Sequence, residues 1–259
     1  MDHLEALLSS CTWPSEALWR SFELGILRDV PFRRPILELG CGDGDVTALL
    51  LDHVEDAIDL NPRAVQRARR TGVYGRVECM DARQLATADA RRYGTVFANC
   101  VLEHIRDLPS VLESCARLLQ PGGTLVATVP TVVMNDHLAL RLPGYAELRR
   151  RQLVHHNLWS VDQWREHLAR AGFDSVDVRP YFGPELCRLW DLIDAPACIG
   201  VGSLHVGAIS RRLLTSVLPR GGRARLRSGL AAWLRAQAAK RGLRMEPACA
   251  VLLQATTPS

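Results

Sequence analysis

The chain has eight cysteines, yet no two of them form a C-x-x-C pair. Zinc and redox sites are built from such close pairs, so no metal site is expected and the cysteines read as reduced, buried thiols. Several, such as Cys79 and Cys100, sit in apolar strand contexts. Long apolar runs are missing as well. The longest uncharged stretch, Ala195 to Ser210, falls short of the roughly 20 residues of a spanning helix and is broken by Pro196, Gly200, Gly202 and Gly207. The opening Met1-Asp2-His3-Leu4-Glu5 is acidic and polar, unlike a secretory signal, and a cytoplasmic location is expected. Lysine is nearly absent, Lys240 being the only one, an arginine bias that suits a GC-rich genome. Acids are absent from Ala195 to Met245, which carries ten basic residues. Without that stretch the formal charge of +4 becomes −6, from 22 basic and 28 acidic residues. An acidic body argues against a general nucleic-acid surface, so no nucleic-acid partner is expected.

What is present begins at Ile36. Ile36 to Leu39 read as a short buried strand, Gly40-Cys41-Gly42-Asp43-Gly44 as a glycine-rich turn, and Val46, Leu49 and Leu50 as the start of a helix. Strand, glycine turn and helix present backbone N–H groups to a nucleotide-like ligand. The dinucleotide fingerprint G-x-G-x-x-G fails here, because position 45 is Asp. Four more strand ends follow in order: Ala57-Ile58-Asp59-Leu60, Glu78-Cys79-Met80-Asp81-Ala82, Phe97-Ala98-Asn99-Cys100, and Leu125-Val126 after Leu118-Leu119-Gln120-Pro121-Gly122-Gly123. Asn61-Pro62 and Asp107 start helices, Gly72 ends one, and Ser160 with Gln163 reads as a capping box.

In this order the segments ELGCGDG, Asp59, Asp81-Ala82, VLEHI and LLQPGG resemble the successive motifs of class I S-adenosylmethionine-dependent methyltransferases. The likeness is close over about residues 36–130 and looser through Asn157 to Ser160 and Ala171 to Phe173. It implies an α/β fold: a Rossmann-like, doubly wound, mostly parallel seven-stranded sheet, with a helical insertion before the last strand. It also implies S-adenosyl-L-methionine as cofactor. Asp59 would accept the ribose hydroxyls, with Leu60 beside it. Gly40, Cys41, Gly42 and Gly44 would shape the turn around the methionine part. Glu38 would fix that turn or meet the amino group through water. Asp81 and Ala82 would meet the adenine, and Asn99 and Cys100 close the set.

The acceptor is expected to be a small molecule. Nucleic-acid amino methyltransferases of this fold carry Asn-Pro-Pro-aromatic where this chain has Asn99-Cys100-Val101-Leu102, and no Pro-Cys nucleophile occurs. VLEHI, Thr128-Val129-Pro130, the run from His156 to Trp164, Tyr181 and Trp190-Asp191 add a narrower likeness. They resemble methyltransferases found among polysaccharide and natural-product biosynthesis enzymes. A hydroxyl oxygen is therefore the expected acceptor atom. His156, His155 and His104 are candidate general bases, since histidine suits proton transfer near neutral pH. Glu103, His104 and a later histidine lack any ligand spacing, so no metal is expected there. Two rivals are a nicotinamide-dependent oxidoreductase on a similar sheet and a non-catalytic cofactor-binding regulatory module.

The expected organisation is a helical cap over 1–35, the methyltransferase domain over 36–182 and 247–259, and a basic insertion rich in short helices over 183–246. Residues 131–159 read as a long connection carrying the basic run Arg149-Arg150-Arg151. In the insertion, Leu226, Leu230, Trp233 and Leu234 share one helix face. Packing is the common fate of such a stripe, and peripheral contact with an anionic membrane through 209–244 is the alternative. The sequence carries no signal for oligomeric state.

Overall fold

The computed structural model describes residues 3–10, 13–87, 90–198, 200–201, 204–205, 220–241 and 244–259. The chain divides into two compact units: 26–132 with 154–180 and 250–259, and 1–25 with 133–153 and 181–249. These boundaries differ from those expected at 35/36, 182/183 and 246/247. The first division falls inside a helix, and the long connection is split between the units.

The larger unit is built on strands β1 (Ile36–Leu39), β2 (Val54–Asp59), β3 (Tyr74–Cys79), β4 (Tyr93–Asn99), β5 (Leu119–Pro130), most of β6 (Ser175–Phe182, whose last two residues fall in the smaller unit) and, last in the chain, β9 (Ala250–Thr256). The sheet order is β3-β2-β1-β4-β5-β9-β6. Strands β1 to β5 pair in parallel, and β9 runs antiparallel to β5. Parallel strands covered on both faces read as continuous apolar runs, and β1 and β4 are buried throughout. Ile36, Val54, Phe97, Val126 and Leu252 share one cluster with Leu27 and Val30.

Helices α3 (Pro62–Thr71), α4 (Leu108–Leu118) and α6 (Val161–Arg170) belong to this unit. Their ends match the sequence signals. Asn61 caps α3 by accepting the Arg63 N–H, Gly72 ends it in the left-handed region, and Ser160 and Gln163 form a reciprocal capping box. Two expectations fail. After the glycine turn only a short 3-10 turn forms, Thr47–Leu49, because β2 follows too soon for a full helix. Pro121-Gly122-Gly123 lies within β5, where the register beside Tyr93 shifts, so it is a strand irregularity instead of a separate turn.

The smaller unit holds α1 (Leu4–Ser10), most of α2 (Pro14–Leu27), α5 (Tyr145–Gln152), α7 (Pro184–Asp194), the two-residue pair β7 (Gly200–Val201) and β8 (Leu204–His205), and α8 (Arg220–Arg241). Aromatic rings centre it. Trp19 lies 4.4 Å from Phe182 and 5.4 Å from Trp190, and Phe22 lies 5.6 Å from Phe182, centroid to centroid. Within the basic run, Arg149 is only 1% exposed. It pairs with Asp191 at 2.7 Å and with Asp194 at 2.5 Å, while Arg150 and Arg151 both reach Glu147.

At 22 residues, α8 is longer than the expected short helices. It packs on α1 and α7, and Ala231, Leu234 and Ala238 are buried, whereas Leu226 and Trp233 are about half exposed. The expected apolar stripe is thus divided, and residues 209–219 of the expected membrane-facing stretch lie outside the described residues. Among the described residues, no helix is long and apolar enough to cross a membrane. The described cysteines are all free thiols, but Cys79 is exposed and Cys100 partly so, against the expected burial, because each stands at the open end of its strand.

Candidate functional site

Strand ends build the site. β1 delivers the chain into Gly40, Gly42 and Gly44, whose φ angles are +64°, +57° and +81°. The Gly40 and Cys41 N–H groups donate to the Ile58 carbonyl at 2.8 and 3.1 Å, and the Gly44 N–H donates to Cys41 O at 3.0 Å. A Cβ on Gly40 would lie 2.5 Å from the Val101 side chain, and one on Gly44 would lie 2.7 Å from the Tyr74 ring. Backbone conformation and space together therefore demand glycine at both positions. Buried Glu38 braces the turn, accepting from Thr47 Oγ1 at 2.7 Å and from the Tyr74 hydroxyl at 2.9 Å. Burial, joined by the charge of Glu38, pushes both the Tyr74 phenol and the Cys41 thiol upward. Neither group is poised to ionise near neutral pH.

At the end of β2, Asp59 accepts the Gly42 N–H at 2.9 Å through Oδ2 and the Asn61 N–H at 2.7 Å through Oδ1. A carboxylate oxygen has a second acceptor site, so Asp59 can tie the turn and still receive hydroxyls. Past β3, Asp81 is gripped by Arg83, whose guanidinium and backbone N–H hold its carboxyl below the ordinary value. β4 ends at Asn99, and Cys100 turns the chain with φ +52° into the 3-10 turn Leu102–His104.

Of the expected residues, Gly40, Asp59, Leu60, Asp81, Ala82, Cys100 and His104 line one cavity of about 450 Å³. That volume suits a small-molecule site, roughly 300–1,000 Å³. The others stand elsewhere. Glu38 and Cys41 are buried, and Gly42 and Gly44 complete the turn. The Asn99 side chain, also buried, is taken up by the Thr128 hydroxyl at 2.5 Å. Met80, Val101 and Ile105 line the cavity too, and sequence reasoning did not single them out. Their adjacency to Asp81 and to the Glu103-His104 pair, at strand ends, is the signal that could have found them. Nothing in the sequence pattern marks Arg83 or Arg106, which complete the wall.

The three histidines separate. His104 is in the cavity wall, and buried His155 lies beside it with ring centroids 5.4 Å apart. His156 has an exposed side chain, and its backbone N–H donates to the Glu103 carbonyl at 2.7 Å. His104 Nδ1 is 3.1 Å from the Val154 carbonyl. A carbonyl only accepts, so Nδ1 carries the hydrogen, and in the neutral ring Nε2 is the nitrogen with the lone pair.

The residues present fit S-adenosylmethionine. The cavity is of suitable size, Asp59 offers acceptors beside it, and a Cβ on Gly42 would meet nothing within 4 Å, so the turn leaves room for close approach. Comparison with known proteins agrees. The family model described as a methyltransferase domain matches residues 23–178. The chain is 33% identical over 96 residues to the ubiquinone biosynthesis O-methyltransferase of Bordetella avium, covering 35% of this chain and 40% of that protein. It is 33% identical over 99 residues to the trans-aconitate 2-methyltransferase of Azoarcus sp., covering 37% and 38%. These matches thus span about two fifths of the relatives' own lengths. Among solved structures, phosphoethanolamine N-methyltransferase 2 of Haemonchus contortus, in complex with S-adenosylhomocysteine, superposes with a TM-score of 0.58 at 18% identity. It covers 93% of this chain and 53% of that one, a likeness of fold. The matched family model spans more than half the chain, and its strands and glycine turn are those that build the cavity. The chain therefore belongs to the class I S-adenosylmethionine-dependent methyltransferases.

Proposed function

We propose that the chain transfers a methyl group from S-adenosylmethionine to a hydroxyl oxygen of a small molecule, of glycosyl, lipid-linked or natural-product type. One observation carries this reading: His104, its Nδ1 turned to the Val154 carbonyl, stands in the wall of the same cavity that Asp59 and Gly40 line. When bound, S-adenosylmethionine supplies a methyl carbon that leaves its sulfonium for a nucleophile. The side chains do the rest. Asp59 would receive the ribose hydroxyls, and the glycine turn would admit the methionine part. His104 Nε2 would take the hydroxyl proton as the oxygen–carbon bond forms and the carbon–sulfur bond breaks. Glu103 Oε1, 3.8 Å from that nitrogen, would balance the resulting charge. Support for oxygen comes from the relative named as an O-methyltransferase.

His104 displaces His156 as the preferred base on position, since the His156 side chain is exposed. His104→Ala should lower turnover about 10²–10⁴-fold while the affinity for S-adenosylhomocysteine holds. The test presents hydroxylated small molecules with S-adenosylmethionine and follows S-adenosylhomocysteine and methylated product by mass spectrometry. Full turnover in His104→Ala would remove His104 from the mechanism. Methylation confined to amines would overturn the oxygen assignment.

A further inference from the structure

We propose that Glu103, His104 and His155 form a binding site for one divalent transition-metal ion. One ligand atom from each side chain, a carboxylate oxygen and two ring nitrogens, lies within 4.8 Å of the others. Metal–ligand bonds of about 2.0–2.2 Å place neighbouring ligand atoms roughly 3–4 Å apart. Small side-chain rotations would close the group onto an ion.

Three independent features make this a built site. Two ligands are interior: Glu103 is 2% exposed and His155 is 8% exposed. The hydrogen bond from His104 Nδ1 to the Val154 carbonyl, at 3.1 Å, is the outer contact that metal-binding histidines use to fix tautomer and ring direction. It puts the Nε2 lone pair on the Glu103 side, 3.8 Å from Oε1.

The third feature is the clamp that brings His155 to the other two across the sequence. Backbone N–H groups of His156 and Asn157 donate to the Glu103 carbonyl at 2.7 and 3.0 Å. Asn157 Nδ2 donates to the carbonyls of Leu102 and Ile105 at 3.0 and 2.5 Å. His155 is held in place by bonds made on both sides of the ligand set.

The donor set selects the ion. Two imidazoles and one carboxylate suit Zn²⁺, Fe²⁺ or Co²⁺, whereas Mg²⁺ and Ca²⁺ favour all-oxygen shells. Three side chains leave coordination positions open. Because His104 also lines the cavity, an ion there would occupy its Nε2 lone pair, so in the loaded protein the ion would favour an acceptor with a metal-binding hydroxyl and would itself lower that hydroxyl's pKa, while His104 could act as base only in the metal-free protein. That last consequence rests on the proposed methyltransferase reading; the metal site itself does not.

The test uses the full chain, stripped with a chelator and titrated with Co²⁺, followed by visible absorption and calorimetry. S-Adenosylhomocysteine is titrated separately into the same preparations. One Co²⁺ per chain, displaced by Zn²⁺, is expected. Affinity should fall at least about 10–100-fold in Glu103→Gln, His104→Ala and His155→Ala. His104, the exposed member, serves where a buried variant fails to fold, as checked by circular dichroism. No Co²⁺ uptake at millimolar concentration, or equal uptake by wild type and His104→Ala, would overturn the site. Co²⁺ failing while S-adenosylhomocysteine binds removes the metal alone. The reverse outcome keeps the metal and removes the methyltransferase reading.

Discussion

The cores of the two units rest on different physics. In the larger one, apolar strands with backbone ladders form the core, and the polar groups that matter are gathered at strand ends around Gly40, Asp59 and His104. In the smaller one, polar groups are part of the core. Arg149, Asp191 and Asp194 are joined there, Asp191 also accepts the Tyr145 hydroxyl and the Ala139 N–H, and Glu23 receives Trp19 Nε1 and the Tyr181 hydroxyl. Buried pairs of this kind contribute little net stability when intact, because desolvation offsets their attraction. Removing one member is costly, since it strands the other charge. The larger unit should therefore tolerate polar substitution at its rim, and the smaller one should not tolerate it inside.

The largest effect follows directly. Asp191→Ala should cost about 3–5 kcal/mol, because Arg149 loses its most buried partner. Urea denaturation measures it, and a loss below about 1 kcal/mol would mean that water or Asp194 replaces the pair. Next comes the neighbouring pair on α8. Leu234→Ala should cost about 2–5 kcal/mol, whereas Trp233→Ser should stay within about 0.5 kcal/mol, as one side chain is buried and the other half exposed. Equal losses would place Trp233 in a contact with another molecule.

That contrast also marks where the sequence was readable. Ile36 to Gly44, Asp59 and Asp81-Ala82 were legible because each motif is contiguous and its job is local: a turn, a cap, a strand end. The same holds for Asn61-Pro62 and the Ser160–Gln163 box. The burial of Arg149 was not legible in its basic run because it depends on Asp191, which sits in a helix far along the chain. His155 gave no sign of meeting Glu103, since the Asn157 clamp that joins them is tertiary. The apolar stripe read on α8 was divided because Ala231 and Ala238, which carry no strong hydrophobic signal, are buried where Leu226 and Trp233 are not.

A smaller effect belongs to the larger unit. Burial opposes the charge on Glu55, but the Ile36 N–H at 2.7 Å and the Arg34 guanidinium outweigh it and hold its carboxyl below the ordinary 4.5. A depressed carboxyl contributes stability that is present above the unfolded value and is lost as pH falls through the folded one. Glu55→Gln should therefore lower stability slightly at pH 7, and the difference from wild type should close below about pH 4. The group is partly exposed, so the effect should stay under about 1 kcal/mol. Melting curves across pH 3 to 7 check it, and a gap that widens toward acid would reverse the sign of the interaction.

The central claim is that the glycine turn and Asp59 form the cofactor site. Calorimetric titration of wild type and Asp59→Ala with S-adenosylhomocysteine tests it most directly, with circular dichroism confirming that the variant is folded. Loss of two charge-assisted hydrogen bonds should weaken binding by about 2–4 kcal/mol, roughly 30- to 1,000-fold. Unchanged affinity in the variant, or wild-type protein that binds NAD and gives no heat with S-adenosylhomocysteine, would contradict the account.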